Sequence, residues 1–287
     1  ILIAGLGTVT GLIAGTFDAC ARHIDDVSDE RLAAALDGGL RVVAPGDARP
    51  GNVDALFVCV PTPITYTKDP DLGPVLAAAA FVRDGLRAGH LVVLQSTTFP
   101  GTTSGPFREV IEASGLVAGT DFDLAFAPER VSPGDPASSG RGVPRLVGGT
   151  TEAATVRAAA LFSHVNDRVV SMSSPDAAEM AKLLENTFRN VNIAFVNQLA
   201  LLCERMGLDV WEIIDAAATK PFGFMRFTPG PGVGGQHIIG GQGVGQNPDS
   251  DAPVAQTLYG RKSAFTNHQI GHLDQQLAVE ALDAPVE

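Results

Sequence analysis

The sequence predicts an α/β chain in which short strand–helix units are followed by one long helix and then by a shorter helix and a glycine-rich loop. Apolar runs of strand length alternate with helical patterns: ILIAGLG at 1–7, VDALFVCVP at 53–61, HLVVLQ at 90–95, DLAFA at 123–127 and RLVGG at 145–149. The first run enters a glycine turn and then an apolar helical pattern, as in a strand–turn–helix unit. The longest helical stretch runs from Pro175 to Gly207 and carries polar and apolar residues on separate faces.

With 287 residues, 45% of them hydrophobic, the chain can bury a sizeable core and is long enough for two domains. A net charge of −12 disfavours a surface that wraps nucleic acid, because a polyanion would be repelled over most of it. Cys20, Cys59 and Cys203 have no close metal-ligand spacing and read as reduced thiols, so no metal is expected. No stretch combines the length and apolarity of a membrane span, and the first residues lack the basic region of a secretory signal. A cytoplasmic protein without a membrane partner is the expectation.

In ILIAGLG, Gly5 and Gly7 let the backbone turn tightly towards a pyrophosphate at the start of the next helix, with Thr8 and Val9 in that turn. Thr10 stands where a third glycine is expected, and Gly11 comes one residue late. Asp25 or Asp26 ends the expected second strand. Asp26 could accept hydrogen bonds from a ribose, favouring NAD; Ser28 or Asp29 capping the following helix is a compatible reading.

The run at 53–61 suits a strand buried on both faces, and its end, Val60, Pro61 and Thr62, falls at the edge where an open α/β sheet binds ligands. A helix is expected over 72–88. The next strand ends in Ser96, Thr97 and Thr98, whose hydroxyls could meet a ligand or cap a helix. After a helix over 104–114, DLAFAPER offers Glu129 as an acid or base and Arg130 as an anion partner, or the two as an ordinary surface pair. A strand, a glycine turn and a capped helix follow, and the first domain is expected to close near residue 170.

Pro175 and Asp176 suit the start of the long helix. Lys182, Asn186 and Asn190 recur at intervals of four, so they lie near one face, with Arg189 and Asn197 further along. Met180, Leu184, Val191 and Phe195 supply apolar contacts on another face. The expectation is a lined cleft rather than a solvated surface. DVWEIIDAAA is a second helix. In KPFGFMRFTPGPGVGG, glycines including Gly234 permit close backbone approach to a ligand, with Phe222 and Phe224 packed beneath the loop. Residues 240–267 read as loop, and a helix is expected near Gln269–Leu282.

Six ordered segments together resemble the UDP-glucose/UDP-N-acetylmannosamine dehydrogenase family, the NAD-dependent nucleotide-sugar 6-dehydrogenases. They are GLGTV (5–9), FVCVPTP (57–63), QSTTFPGTT (95–103), DFDLAFAPERVSPG (121–134), the helix from AEMAK to DVW (178–211) and KPFGFMRFTPGPGVGG (220–235). The PFGF loop is similar to the branch that handles UDP-N-acetylhexosamines. The resemblance implies a Rossmann-like NAD-binding domain over 1–172 and a central helix with dimerisation and substrate loop over 173–238, while 239–287 stays unassigned. It also implies a UDP-binding third domain in a complete member.

The implied activity is oxidation of a sugar C6 alcohol to a carboxylate, with two NAD per UDP-sugar, by a homodimer formed through the central helices. By the same resemblance, Thr97 and Glu129 handle water, while Lys182 and Asn186 stabilise developing oxygen charge. Arg130, Arg189, Phe222, Phe224 and Gly234 join Glu129, Lys182 and Asn186 around the substrate. Gly5, Gly7, Thr8, Val9, Asp26, Val60, Pro61, Thr62, Ser96 and Thr97 hold NAD. Family members read GGHCIPVDP where this chain reads GGQHIIGGQ, so His237 stands at the nucleophilic cysteine and Gly241 at the catalytic aspartate. An impaired homologue that binds nucleotide or dimerises is therefore the alternative to an active enzyme.

Overall fold

The computed structural model describes residues 2–4, 37, 47–63, 65, 69–130 and 142–230. The glycine turn at 5–9, the strand expected to end at Asp25 or Asp26, the loop beyond Gly230 and the helix expected at Gln269–Leu282 lie outside these residues. By its contacts the chain forms two compact units, residues 1–63 with 71–183, and 64–70 with 184–287.

The first unit contains a six-stranded sheet among the described residues: β1 (Leu2–Ala4), β2 (Ala55–Val58), β3 (Leu91–Leu94), β4 (Asp123–Phe126), β5 (Arg145–Gly149) and β6 (Val169–Ser171), side by side in that order. The first four are mutually parallel, β5 runs antiparallel to β4, and β6 is parallel to β5. The alternation of side chains along a strand divides the core in two. Leu56, Val58, Val92, Leu94, Leu124 and Phe126 join one cluster, while Phe57, Leu91, Val93, Ala125 and Val147 join the other. Both faces of the central strands are thus covered, as their uninterrupted apolar sequences require.

Helix α1 (Gly73–Arg83) buries Val75, Ala78, Ala79 and Val82, the i, i+3, i+4, i+7 stripe of a helix lying on a sheet. It stops five residues short of the expected end at 88. The chain turns there, with Gly85 against Pro50 and Gly89 at φ +83. The helix expected over 104–114 is also shorter. A π-turn at Thr103–Phe107, broken by Gly105 and Pro106, precedes α2 (Arg108–Glu112), because proline lacks the amide that a regular helix would use. Helix α3 (Glu152–Phe162) is capped by Thr151, whose side chain accepts from the Ala154 amide. Gly148 has no room for a side chain, since a Cβ there would strike the Ser174 carbonyl just before the next helix.

Helix α4 (Pro175–Met206) has 32 residues, roughly 48 Å at 1.5 Å per residue. It begins in the first unit and continues into the second. Gly207, at φ +69, ends it in the left-handed conformation that glycine adopts without penalty. Helix α5 (Val210–Ala218) follows, capped by Asp209, which accepts from the Trp211 amide. Among the described residues no helix is long and apolar enough to cross a membrane.

Candidate functional site

The aligned register of β1 to β4, with Ala4 beside Val58, Val58 beside Leu94 and Leu94 beside Phe126, brings their C-terminal ends into one row. Among the described residues, the segments that leave this edge are residues 59–62, 95–98 and 127–130. A parallel α/β sheet binds ligands at this edge. Ser96 has a specific task there. Its buried hydroxyl accepts from the Val60 amide at 2.8 Å and donates to the Val60 carbonyl at 2.7 Å. The expected cofactor residue Ser96 therefore pins the Val60 backbone, at the start of the Val60–Pro61–Thr62 segment.

Cys59 lies on the same edge and donates to the Gln95 side-chain carbonyl at 2.9 Å. Burial, reinforced by the Glu129 carboxylate, pushes its thiol up to about 12. Only a thiolate is an effective nucleophile, so Cys59 is unsuited to nucleophilic chemistry near neutral pH. Cys203 is buried on α4.

Glu129 follows β4, but its ionic partner is not its neighbour. Arg145, at the start of β5 and 9% exposed, donates to Glu129 Oε2 at 2.7 Å and to the Pro128 carbonyl at 2.7 Å. The Arg145 guanidinium also lies over the Phe162 ring, 5.1 Å from its centre, with Asn166 alongside. Arg130 points elsewhere, donating to the Pro144 carbonyl at 2.7 Å. The simple surface pair Glu129–Arg130 is thus replaced by a carboxylate held in a fork by a buried arginine. Its other oxygen accepts from the Arg130 amide at 2.8 Å.

On α4, Asn186 and Asn190 are buried, at 1% and 4% exposure, and Lys182 is partly buried. Met180, Leu184, Val191 and Phe195 are exposed, at 54%, 64%, 36% and 63%. This part of the helix buries carboxamides and exposes large apolar side chains, so these four stand largely outside the buried clusters of the described residues. One turn before Lys182, the Glu179 carboxylate receives hydrogen bonds from Thr98, Gly101 and Thr103. Thr97 is adjacent to the first of these donors.

In the second unit, the segment after α5 is tied down at three points. Arg226 donates to Asp215 at 2.7 Å, Phe227 packs edge-on against Phe188, and the Asn197 amide exchanges two hydrogen bonds with the Gly230 backbone at 2.8 and 2.9 Å. Phe222 and Phe224, expected beneath the glycine loop, are not buried among the described residues. They are 70% and 39% exposed, because the turn at Gly223 (φ +71) carries them outward and leaves Phe227 to make the aromatic contact. Arg189 is exposed. Gly5, Gly7, Thr8, Val9, Asp26, Gly234, His237 and Gly241 lie outside the described residues.

Sequence reasoning missed Arg145 and Glu179. Arg145 sits in an ordinary strand, and nothing in its local spacing separates it from a surface arginine. Glu179 lies inside the AEMAK segment, where a glutamate three residues before Lys182 reads as routine helix chemistry. Its partners are 76 to 81 residues away in sequence.

The sheet, its ligand edge and the long polar-lined helix define an α/β protein of the dinucleotide-binding kind. Comparison with known proteins narrows this. Residues 22–166 match the NAD binding domain of the UDP-glucose/GDP-mannose dehydrogenase family, and residues 176–239 match its central domain. The chain belongs to this family. It is 36% identical over 232 residues to a UDP-N-acetyl-D-mannosamine dehydrogenase of Yersinia pestis, covering 78% of this chain and 54% of that protein. It is 35% identical over 197 residues to a UDP-N-acetyl-D-glucosamine 6-dehydrogenase of Pseudomonas aeruginosa, covering 68% and 45%. The solved UDP-D-ManNAc dehydrogenase of Pyrococcus horikoshii superposes with a TM-score of 0.72 at 31% identity, covering 98% of this chain and 66% of that one. The matched region spans about half the length of these two relatives.

Proposed function

We propose that the protein takes part in the NAD-dependent oxidation of the C6 alcohol of a UDP-N-acetylhexosamine, UDP-N-acetylmannosamine or UDP-N-acetylglucosamine, to the uronic acid. The observation that carries this reading is the inverted helix α4. Its Asn186 and Asn190 are buried while Met180, Leu184, Phe188 and Phe195 are exposed, an arrangement that a helix packed only for its core would reverse. Lys182 and Asn186, on consecutive turns, are the oxyanion-stabilising pair, where fixed donors act on charge that develops during reaction. Glu129, held by Arg145, assists proton transfer to and from water, with Thr97 positioning that water.

NAD, when bound, supplies the hydride acceptor. Gly5, Gly7, Thr8 and Val9 would cradle its phosphates, Asp26 its ribose, and Val60, Pro61, Thr62, Ser96 and Thr97 would line the sheet edge. Two NAD and one water balance the conversion of one alcohol to one carboxylate. On the substrate side, Arg130, Arg189, Phe222, Phe224 and Gly234 complete the set. The exposed stripe on α4 supports a homodimer through the central helices, in which these apolar side chains become buried.

The alternative is a homologue that binds nucleotide or dimerises without completing the oxidation. It is favoured by His237 at the position of the family's nucleophilic cysteine and by the unreactive setting of Cys59. Imidazole does not replace a thiolate as covalent relay between aldehyde and acid. The protein incubated with NAD and either UDP-N-acetylhexosamine separates the two. Two NADH per sugar establish the oxidation, ligand binding without NADH establishes the alternative, and failure to bind either ligand by a protein that sediments as a monomer overturns both.

A further inference from the structure

Glu179 is the one fully buried acidic residue among the described residues. Four donors converge on its carboxylate. The Gly101 amide reaches Oε2 at 2.7 Å; the Thr103 amide at 2.9 Å, the Thr103 hydroxyl at 2.6 Å and the Thr98 hydroxyl at 3.3 Å reach Oε1. An ionised carboxylate is an acceptor only, and here three of the donors share Oε1 while one meets Oε2. A carboxamide of the same shape would turn its own N–H groups against one of these donors.

All four donors belong to the loop that leaves β3, and the carboxylate belongs to the second turn of α4. Asp176, one turn earlier, adds a second tie by accepting from the Ser104 hydroxyl at 2.6 Å. The loop is thus fixed at both ends, by β3 before it and by α4 beneath it. Thr97 immediately precedes the first tied residue, Thr98, and Lys182 lies three residues beyond Glu179 on the same helix face. Burial raises the carboxyl of Glu179 above its usual range, so retaining it ionised costs stability that an apolar contact would not. What the carboxylate supplies instead is direction, since two backbone amides and two hydroxyls must meet it at fixed points.

We infer that Glu179 is a positioning residue, which sets the Thr97 hydroxyl at a fixed place relative to the Lys182 ammonium by holding the 98–103 loop against α4. This rests on the reading of Thr97 and Lys182 given above. It extends that reading to a residue that touches neither substrate nor cofactor.

The test compares wild-type protein with Glu179→Gln, and with Thr103→Ala as a milder variant that removes one donor if the first does not fold. Backbone and lysine side-chain resonances are followed by NMR in the full chain. Both variants should move the Thr97 amide and Lys182 Cε–Hε signals in the same direction, more in Glu179→Gln, while the amides of Val92 and Val93 stay in place. Where wild type produces NADH, Glu179→Gln should lower kcat about 10–100-fold, the size of effect that a misplacement of about 1 Å produces, with far less change in KM for the sugar. Unmoved Thr97 and Lys182 signals in a folded variant whose Gly101 and Thr103 amides exchange faster would reduce Glu179 to a structural pin and overturn the inference. Absence of NADH from wild type sinks the proposed oxidation alone, because the resonances still decide the role of Glu179.

Discussion

Arg145 is where stability and chemistry can be separated most cleanly. Replacing it with methionine keeps much of its length and its packing on Phe162 but removes every donor. The buried Pro128 carbonyl is then left without its 2.7 Å partner, a loss of about 1–3 kcal/mol for an unsatisfied buried acceptor. The cation over Phe162 contributes about 0.5–1 kcal/mol more. Glu129 is 54% exposed, so solvent screens its ion pair and about 0–1 kcal/mol is all that should be assigned to it. The sum is about 1.5–5 kcal/mol, which lowers the thermal midpoint by roughly 3–20 °C at about 2–4 °C per kcal/mol for a unit of this size. Arg145→Lys should recover part of this, because one ammonium can reach the carbonyl or the carboxylate but cannot fork to both.

Thermal unfolding followed by circular dichroism measures the midpoint, and NADH production by the folded protein measures the consequence for Glu129. Both variants should lose turnover beyond what their folded fraction explains, since the carboxylate is no longer aimed. A midpoint within about 1 °C of wild type for Arg145→Met would show that the fork contributes none of the expected stabilisation. Unchanged turnover in an active protein would remove Arg145 from any role in orienting Glu129.

Two further outcomes follow from the same structure. Cys59, with its thiol raised to about 12, should resist iodoacetamide at pH 8.5 in the native protein and react once the protein is denatured, as read by peptide mapping. Its folded value lies above its unfolded one, so the stability linked to this group is present below the unfolded value and lost as pH rises through the folded one. Native labelling at the rate of an exposed thiol would refute the burial argument. Leu184→Glu combined with Phe195→Glu places two charges on the outward stripe of α4. If the proposed homodimer forms through this stripe, sedimentation should show a dimer for wild type and a monomer for the variant; a dimer that survives both charges would move the interface elsewhere.

The sequence alone determined the class of fold, because alternation of apolar runs with helical patterns and a glycine turn after the first strand are local signals that physics reads over a few residues. It also determined the family, through six ordered segments, and the extent of helix α4, which runs from its expected start at Pro175 to the glycine that ends it. The lengths of α1 and α2 were less legible, since Gly85 and Pro106 act through what lies across from them or through the turn they interrupt. Which face of α4 turns inward was beyond periodicity, which separates two faces but does not say which is buried. The inversion that hides Asn186 and exposes Leu184 is a tertiary result. The same holds for Glu129 and Glu179. Their partners are 16 and as many as 81 residues away, and a hydrogen bond across that distance leaves no trace in local spacing. What the chain could announce was which residues are candidates for the chemistry; which groups hold Glu129 and the 98–103 loop in place was decided only when the strands and the long helix came together.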